Sequence, residues 1–362
     1  MSVTAISDVL LEIPLYATRR GRDSTSVTAW WMGAIATALL AGCARHAERL
    51  TVLDGATMGG RYTVKIVDLP PTVSATALHA EIAVTLQRIN ESMSTYRDDS
   101  ELSRFNRSTS TDWVDASPEL VEVVAEAQRI SVLTDGAFDV TVGPVVNLWG
   151  FGPEVKPDVV PDDADIEAAR ERVGFRYLET RWQPPALRKQ RADIYVDLSA
   201  IAEGYAVDVV ARELEAHGVP NYVVEVGGEL SARGRNQDDK PWDIAIEQPL
   251  TDERRPDRLL RVDGVGVATS GVYRTYFEAD GHHYSHIIDP KTARPVTHDL
   301  VSVTTIADTT MRADALATGL LVLGPDAGYE LAAREGIAAL FVRRVGNDQI
   351  ERATPAFTPY AR

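Results

Sequence analysis

The chain has 362 residues, 44% of them apolar, which is enough for a sizeable core and too apolar for a disordered tail. Its length fits one large domain or two modest ones. Lys and Arg total 37 against 53 Asp and Glu, giving a net charge of -16, and this balance argues against a nucleic-acid-binding protein, which needs a basic face. Cys43 is the single cysteine, so the chain forms neither an intrachain disulfide nor a cysteine-based zinc finger.

The first 42 residues predict a targeting segment. Arginines at 19, 20 and 22 precede an apolar run over 29–40 that is too short to remain as a membrane-spanning helix. Leu40-Ala41-Gly42-Cys43 resembles a bacterial lipobox, in which the cysteine is lipidated and becomes the first residue of the mature chain. We therefore expect a signal peptide over 1–42, a lipid on Cys43, a tether over 43–54 and an extracytoplasmic domain at the inner or the outer membrane. A buried free cysteine in an ordinary helix is the alternative.

The first half of the remaining chain predicts a strand and two helices. Residues 61–67 alternate apolar and polar side chains, which is typical of a half-buried strand. Ser74 is a suitable cap for a helix, and a second helix begins at Ser117-Pro118 and ends at Asp135-Gly136. The first helix carries apolar residues at helical spacing, namely Leu78, Ile82, Leu86, Ile89 and Met93.

The second half mixes both kinds of element. We expect a strand end over 194–197, a helix over 201–216 closed by Gly218, and a hairpin turning at Asp280-Gly281. Further strands are predicted over 221–226, 242–247, 266–269, 301–306 and 338–343, with a helix over 311–323. Strands and helices do not alternate strictly, which favours an α+β fold with mixed, largely antiparallel sheets and flanking helices. We expect one domain of two lobes over 55–350, followed by a C-terminal tail over 351–362.

Asp314 and Thr318 are the best-supported candidates for metal ligands in the sequence. Four residues apart in a predicted helix, they project from one face. A carboxylate and a hydroxyl are hard oxygen ligands, which suit Mg²⁺ or Ca²⁺ better than zinc. A Thr–Asp pair on a solvated helix face is the alternative. The glycines form neither a G-x-G-x-x-G pattern nor a P-loop, so neither a Rossmann fold nor a nucleotide kinase is supported.

Histidines concentrate near the C-terminal third of the chain. His282, His283, His286 and His298 fall close together, but neighbouring residues of a strand point to opposite faces, which argues against a three-histidine metal site. A single histidine near Asp289 is a candidate general base.

Eight ordered motifs together resemble one enzyme family. They are Met58-Gly59 with Tyr62-x-Val64-Lys65, Met93-Ser94-Thr95-Tyr96 with Ser100-Glu101-Leu102-x-x-Phe105-Asn106, Gly136-Ala137-Phe138-Asp139-x-Thr141-x-Gly143-Pro144, Val196-Asp197-Leu198-Ser199 with Glu203-Gly204-Tyr205-Ala206, Val226-Gly227-Gly228-Glu229, Ser270-Gly271-x-Tyr273-Arg274, Ser285-His286-x-x-Asp289-Pro290 and Ala313-Asp314-Ala315-x-Ala317-Thr318. This set, over residues 55–345, resembles the FAD:protein FMN transferase family (ApbE).

The resemblance implies an enzyme that splits FAD at its pyrophosphate, passes FMN to a threonine hydroxyl of an acceptor flavoprotein and releases AMP. It implies Mg²⁺, with Mn²⁺ as the alternative, on the backbone carbonyl of Ala200 and the side chains of Asp314 and Thr318. His286 is the candidate base, and Asp289 in the same motif is the second candidate catalytic residue. The FAD contacts implied by the family pattern are Met58, Tyr96, Ala137, Phe138, Asp139, Asp197, Glu203 and Ile288.

The implied acceptors are subunits of a membrane sodium-pumping quinone reductase (Nqr), of its Rnf relative, or other extracytoplasmic flavoproteins. Glu203 departs from the family pattern, which often has lysine there, and Ala293 stands where glycine is more usual. Asp54–Thr57 is interpreted as the start of the first strand rather than as an acceptor motif. Three other functions stay open: an Mg²⁺-dependent FAD pyrophosphatase giving FMN and AMP, a lipoprotein that only carries flavin, and an iron- or zinc-binding lipoprotein.

Overall fold

The structure is a computed structural model that describes residues 4–5, 49–154, 158–247, 256–273, 275–346 and 348–362. Cys43 and the apolar run of the predicted signal peptide lie outside these ranges. Within the ranges, none of the helices combines the length and the apolar character needed to cross a membrane.

Strands and helices are mixed along the chain. The strands are β1 (Thr4–Ala5), β2 (Leu50–Thr57), β3 (Gly60–Val67), β4 (Val114–Asp115), β5 (Leu178–Trp182), β6 (Pro185–Lys189), β7 (Tyr222–Val226), β8 (Glu229–Arg233), β9 (Trp242–Glu247), β10 (Pro256–Val262), β11 (Val265–Gly271), β12 (Tyr276–Ala279), β13 (His282–Ser285), β14 (Ile288–Asp289), β15 (Arg294–Pro295), β16 (Leu300–Ala307), β17 (Ala338–Val345) and β18 (Asp348–Ala353). The α-helices are α1 (Ala75–Met93), α2 (Glu101–Arg107), α3 (Pro118–Leu133), α4 (Gly143–Leu148), α5 (Asp163–Arg170), α6 (Ala202–Ala216), α7 (Thr310–Leu323) and α8 (Ala327–Arg334).

An eight-stranded sheet forms the centre of the fold. Its strand order is β18-β17-β16-β11-β8-β7-β3-β2, and each neighbouring pair is antiparallel. Smaller sheets have the orders β4-β6-β5, β1-β9-β10, β12-β13 and β14-β15. Helices α1, α6 and α7 pack with strands of the large sheet. This arrangement confirms the predicted α+β fold with antiparallel sheets and flanking helices.

The predicted helix signals are confirmed. Ser74 accepts a hydrogen bond from the Ala77 amide at 3.4 Å, and the five predicted apolar residues are the buried residues of α1. Ser117 likewise caps α3 by accepting from the Leu120 amide at 3.3 Å. Side-chain oxygens at these positions satisfy amides that have no partner within the helix, which is why the two helices begin where they do.

Close contact between α6 and α7 fixes the part of the fold that carries Asp314. A Cβ on Gly204 would lie 2.5 Å from the carbonyl oxygen of Thr310, so only glycine allows this approach. From the next turn of α6, Asp208 accepts hydrogen bonds from the amides of Thr310 at 2.7 Å and Met311 at 2.9 Å. Asp208 therefore satisfies the first amides of α7 and sets its position against α6.

Several expectations differ from the structure. Residues 194–197 are not a strand; the chain there is held by the side chain of Asn106 instead of by a sheet neighbour. The Asp54–Thr57 segment lies within β2, not at the start of the first strand, and β2 begins inside the predicted tether. Residues of the predicted C-terminal tail continue β18 and form a 3₁₀ helix over Pro355–Tyr360. The predicted hairpin is present as β12 paired with β13, and its turn at Asp280 and Gly281 has the positive φ values expected of a tight hairpin.

Candidate active site

A cavity of about 400 Å³ collects residues from widely separated parts of the chain. The lining residues include those just after α1, α3 and β13, and those just before and at the start of α6. Others lie at the start of β8, at the end of β11 and on one face of α7. Of the predicted site residues that the structure describes, all except Met58 and Asp289 line this cavity, namely Tyr96, Ala137, Phe138, Asp139, Asp197, Ala200, Glu203, His286, Ile288, Asp314 and Thr318. Residues far apart in sequence thus meet at one site.

Met58 lines a neighbouring cavity of about 630 Å³. The two cavities share Tyr96, Ser199 and Glu203, so they meet along one wall. Met58 lies in the turn between β2 and β3 with φ 50°, an unusual conformation for a residue other than glycine. Each cavity has the size of an ordinary small-molecule site.

Asp289 lies beside the cavity and forms a turn. Its Oδ1 accepts from the Lys291 amide at 2.9 Å, and its carbonyl accepts from the Ala293 amide at 2.8 Å. Ala293 has φ 55°, a left-handed conformation that glycine adopts more readily than alanine. The adjacent Ile288 and Pro290 line the cavity instead. A catalytic role for Asp289 stays a prediction.

His286 is arranged as a base. Its Nδ1 lies 3.0 Å from the carbonyl oxygen of Thr275. A carbonyl only accepts, so Nδ1 carries the proton and, in the neutral ring, Nε2 has a free lone pair. Burial lowers the pKa of His286 from its ordinary value because the charged imidazolium loses hydration. The ring is therefore neutral at physiological pH and able to accept a proton.

Aromatic and apolar side chains form one wall of the cavity. Phe138 and Ile288 are buried, and the ring of Tyr96 is 67% exposed. The hydroxyl of Tyr96 donates to the carbonyl of Phe151 at 3.5 Å, which places its ring at the rim. Flat apolar surfaces of this kind suit an aromatic ring system.

Asp139 and Asp197 hold the backbone around them. Asp139 accepts from the Thr141 amide at 2.8 Å, the Thr141 hydroxyl at 2.6 Å and, through its other oxygen, the Phe175 amide at 2.9 Å. Burial raises the pKa of Asp139, and these hydrogen bonds oppose that shift. Asp197 accepts from both the amide and the hydroxyl of Ser199. Both carboxylates therefore shape the loops that line the cavity.

Three carboxyl groups meet at the cavity floor, two of them buried and the third partly buried. Asp314 is 5% exposed and Glu229 is 4% exposed, and Glu203 faces both. Burial, followed by the charge of Glu203, raises the pKa of Asp314 to about 8. Burial also raises the pKa of Glu203, and it raises the pKa of Glu229 further together with the charges of Asp314 and Glu203. Ionising these carboxyl groups together costs free energy unless a cation lies beside them.

The donor chemistry of this floor fits a hard divalent cation. Among the described residues that line the cavity there is no lysine or arginine, and one oxygen of Glu229 is buried without a hydrogen-bond partner. The hydroxyl of Thr318 lies 2.7 Å from that of Ser270, on the same face of α7 as Asp314. The described ranges contain no group of three His, Cys, Asp or Glu arranged for a metal. Mg²⁺ is commonly held by one or two carboxylates plus substrate phosphates, so this set remains suitable.

Sequence reasoning missed Glu229 as part of the site. The residue lies in a quoted motif, directly after Gly227-Gly228. The glycines before Glu229 could have indicated a close contact at this position. Gly227 has φ 65°, and a Cβ there would lie 2.3 Å from an oxygen of Glu203. The glycine pair thus leaves room for two carboxyl side chains to approach each other. Ser199, Ser270 and Thr275 also line the cavity and had no predicted role.

Comparison with known proteins agrees with this geometry. A profile of the ApbE family matches residues 58–341. The FAD:protein FMN transferase of Vibrio cholerae is 46% identical over 331 residues, covering 91% of this chain and 98% of that protein. The FAD:protein FMN transferase of Escherichia coli K12 is 42% identical over 317 residues, covering 87% and 90% respectively.

The fold of this chain also matches solved structures over most of its length. The flavin transferase ApbE from Vibrio cholerae has a TM-score of 0.80 at 45% identity, covering 86% of this chain and 99% of that chain. The apo form of the Pseudomonas stutzeri flavinyl transferase ApbE has a TM-score of 0.79 at 43% identity, covering 86% and 96%. The class of protein that this fold and cavity define is therefore the flavin transferases. The chain belongs to the ApbE family, as its motifs predicted.

Proposed function

We propose that the cavity binds FAD and that the chain transfers FMN from it to a threonine hydroxyl of an acceptor protein, releasing AMP, with Mg²⁺ or Mn²⁺ as cofactor. The observation that carries the proposal is the meeting of a neutral histidine and a buried carboxyl cluster in one cavity. The activity in the names of the relatives supports the same reaction.

The cation site consists of the Ala200 carbonyl, the Asp314 carboxylate and the Thr318 hydroxyl. When bound there, a divalent cation neutralises the pyrophosphate and stabilises charge on the departing AMP phosphate. The acidic floor supports this assignment, because these carboxyl groups in their ionised form would repel an anionic pyrophosphate unless a cation neutralised them. Asp208 and Gly204 assist by holding α7 against α6.

His286 supplies the base. Its Nε2 accepts the proton of the threonine hydroxyl as the threonine oxygen bonds to the FMN phosphorus. The bond between that phosphorus and the bridging oxygen breaks, and the oxygen leaves with its electron pair on AMP. Tyr96, Phe138 and Ile288 hold a flat ring against the cavity wall, which fixes the phosphorus relative to His286.

Product analysis tests the proposal. We expect the full chain with FAD, Mg²⁺ and a threonine-containing acceptor domain to release AMP while the acceptor gains the mass of FMN. Equal rates of AMP and free FMN formation with and without the acceptor would identify an FAD pyrophosphatase, in which water replaces threonine. Bound FAD with no product would identify a flavin carrier, and tight iron or zinc in the purified protein would favour the metal-binding alternative.

We also propose that Cys43 anchors the chain in a membrane facing the periplasm, where its acceptors are flavoprotein subunits of the Nqr or Rnf type or other extracytoplasmic flavoproteins. The lipobox supports this location. Replacing Cys43 with serine should release the protein from membranes into the soluble fraction while its transfer rate on a soluble acceptor domain is unchanged. A Cys43→Ser protein that still sediments with membranes would contradict the anchor, and fractionation of the wild type distinguishes inner from outer membrane.

A further inference from the structure

Asn106 links two distant parts of the chain and lies outside both cavities. Its Nδ2 donates to the carbonyl of Val196 at 2.8 Å, and its Oδ1 accepts from the amide of Val196 at 2.8 Å. The two residues are 90 positions apart. A side-chain amide thus makes the pair of hydrogen bonds that a neighbouring strand would otherwise make to residues 194–197.

The segment that Asn106 holds leads directly into the active site. Asp197 follows Val196 and donates its amide to the carbonyl of Val140 at 2.7 Å, so this segment is held from two sides. The carboxylate of Asp197 accepts from the Ser199 amide at 2.9 Å and the Ser199 hydroxyl at 2.6 Å. This turn brings the chain to Ala200 and to Glu203 at the start of α6, both of which line the cavity.

Lys189 fixes Asn106 in turn. Its side chain is fully buried, and Nζ donates to the carbonyls of Phe105 at 3.1 Å, Asn106 at 3.3 Å and Ser108 at 2.5 Å, at the C-terminal end of α2. The free carbonyls at a helix C-terminus favour a cation, which compensates part of the cost of burying the ammonium. Nζ also lies 3.4 Å from the carbonyl of Ala192, just before the segment that Asn106 holds.

Building on the proposed function, we propose that Asn106 is a positioning residue of the flavin site. It acts through Val196, sets the path of residues 197–203, and thereby places the Asp197 carboxylate, the Ala200 carbonyl and the Glu203 side chain around bound FAD. Asn106 itself touches no substrate. Lys189 makes this positioning rigid by holding the helix end that carries Asn106.

Two substitutions and a matched control test this role. Asn106→Ala removes both hydrogen bonds, whereas Asn106→Asp keeps an acceptor for the Val196 amide and loses the donor. Gln128→Ala is the control, since the Gln128 side chain also donates to a distant backbone carbonyl, that of Leu178, but lines neither cavity. The measurements are FAD affinity by flavin fluorescence, and Tm without ligand, for the full chain with Mg²⁺.

We expect Asn106→Ala to raise the Kd for FAD about 10-fold or more and Asn106→Asp to raise it less, because small displacements of binding groups weaken a preorganised site strongly. Gln128→Ala should lower Tm about as much as Asn106→Ala and leave the Kd within twofold. A Kd for Asn106→Ala within twofold of wild type would overturn the proposal. So would an equal loss of affinity in Gln128→Ala, or failure of both Asn106 variants to fold, since either result makes the role purely structural.

Discussion

Replacing Asp314 with asparagine should abolish FMN transfer while the protein stays folded. The substitution removes the charged ligand of the proposed cation site and keeps the shape of the side chain, so we expect a loss of about 10³-fold or more in the transfer rate at saturating Mg²⁺. Wild-type protein should gain Tm on adding Mg²⁺ and FAD, and the variant should not. The readouts are acceptor mass and thermal unfolding.

The same substitution changes the pH dependence of the metal-free protein. Burial raises the pKa of Asp314 to about 8, whereas the unfolded chain has the ordinary value of 3.8. Between these values the folded state holds a proton that the unfolded state has released, so stability falls as pH rises, by up to about 1.4 kcal/mol per pH unit. Asp314→Asn lacks this contribution, and its free energy of unfolding should decline less between pH 5 and 8.

Asp308→Asn is the matched control for both measurements. Asp308 lies just before α7, pairs with Arg312 at 2.7 Å and is largely exposed, so its loss should alter neither transfer nor the response to Mg²⁺. Substantial transfer by Asp314→Asn, or an unchanged Mg²⁺ response, would refute the cation assignment.

His286→Ala should slow transfer by about 10²–10⁴-fold and leave FAD bound. A general base works only when neutral, and burial lowers the pKa of His286 below 6.5. The wild-type rate should therefore be maintained at neutral pH and fall at acidic pH as the imidazole gains a proton, and the variant should lose this acid limb. Rates measured from pH 5 to 9 at saturating FAD check the profile.

His283→Ala serves as the control, because His283 is exposed on β13, stacks on Tyr276 and does not line the cavity. A wild-type rate and profile in His286→Ala would remove this residue from the mechanism. Loss of FAD binding in that variant would instead assign His286 to ligand binding.

Sequence patterns predicted the elements whose side chains repeat regularly. The five buried residues of α1 and the caps at Ser74 and Ser117 are local features, and local spacing is enough to specify them. Asp314 and Thr318 were found in the same way, because helical spacing alone places them on one face. The eight motifs then identified the family, which the comparisons confirm.

Contacts between distant residues could not be read from the sequence. The side chain of Asn106 makes the two hydrogen bonds to Val196 that a neighbouring strand would otherwise make. No periodic pattern in the sequence predicts a side-chain contact with a residue 90 positions away. Glu229 enters the site only because β8 lies beside the start of α6, and β8 itself was not predicted. The second cavity likewise arises from the β2–β3 turn meeting the residues after α1.

The described residues of the cavity that contains Asp314 include no lysine or arginine, although Arg97 lines the neighbouring cavity, and under the proposed function this has a consequence for binding affinity. An acidic site disfavours a free dinucleotide and favours one whose pyrophosphate is already complexed with a cation. Flavin affinity then becomes a function of cation concentration, and by thermodynamic reciprocity FAD tightens cation binding by the same factor. The site that we propose would therefore bind the metal–FAD complex in preference to uncomplexed FAD.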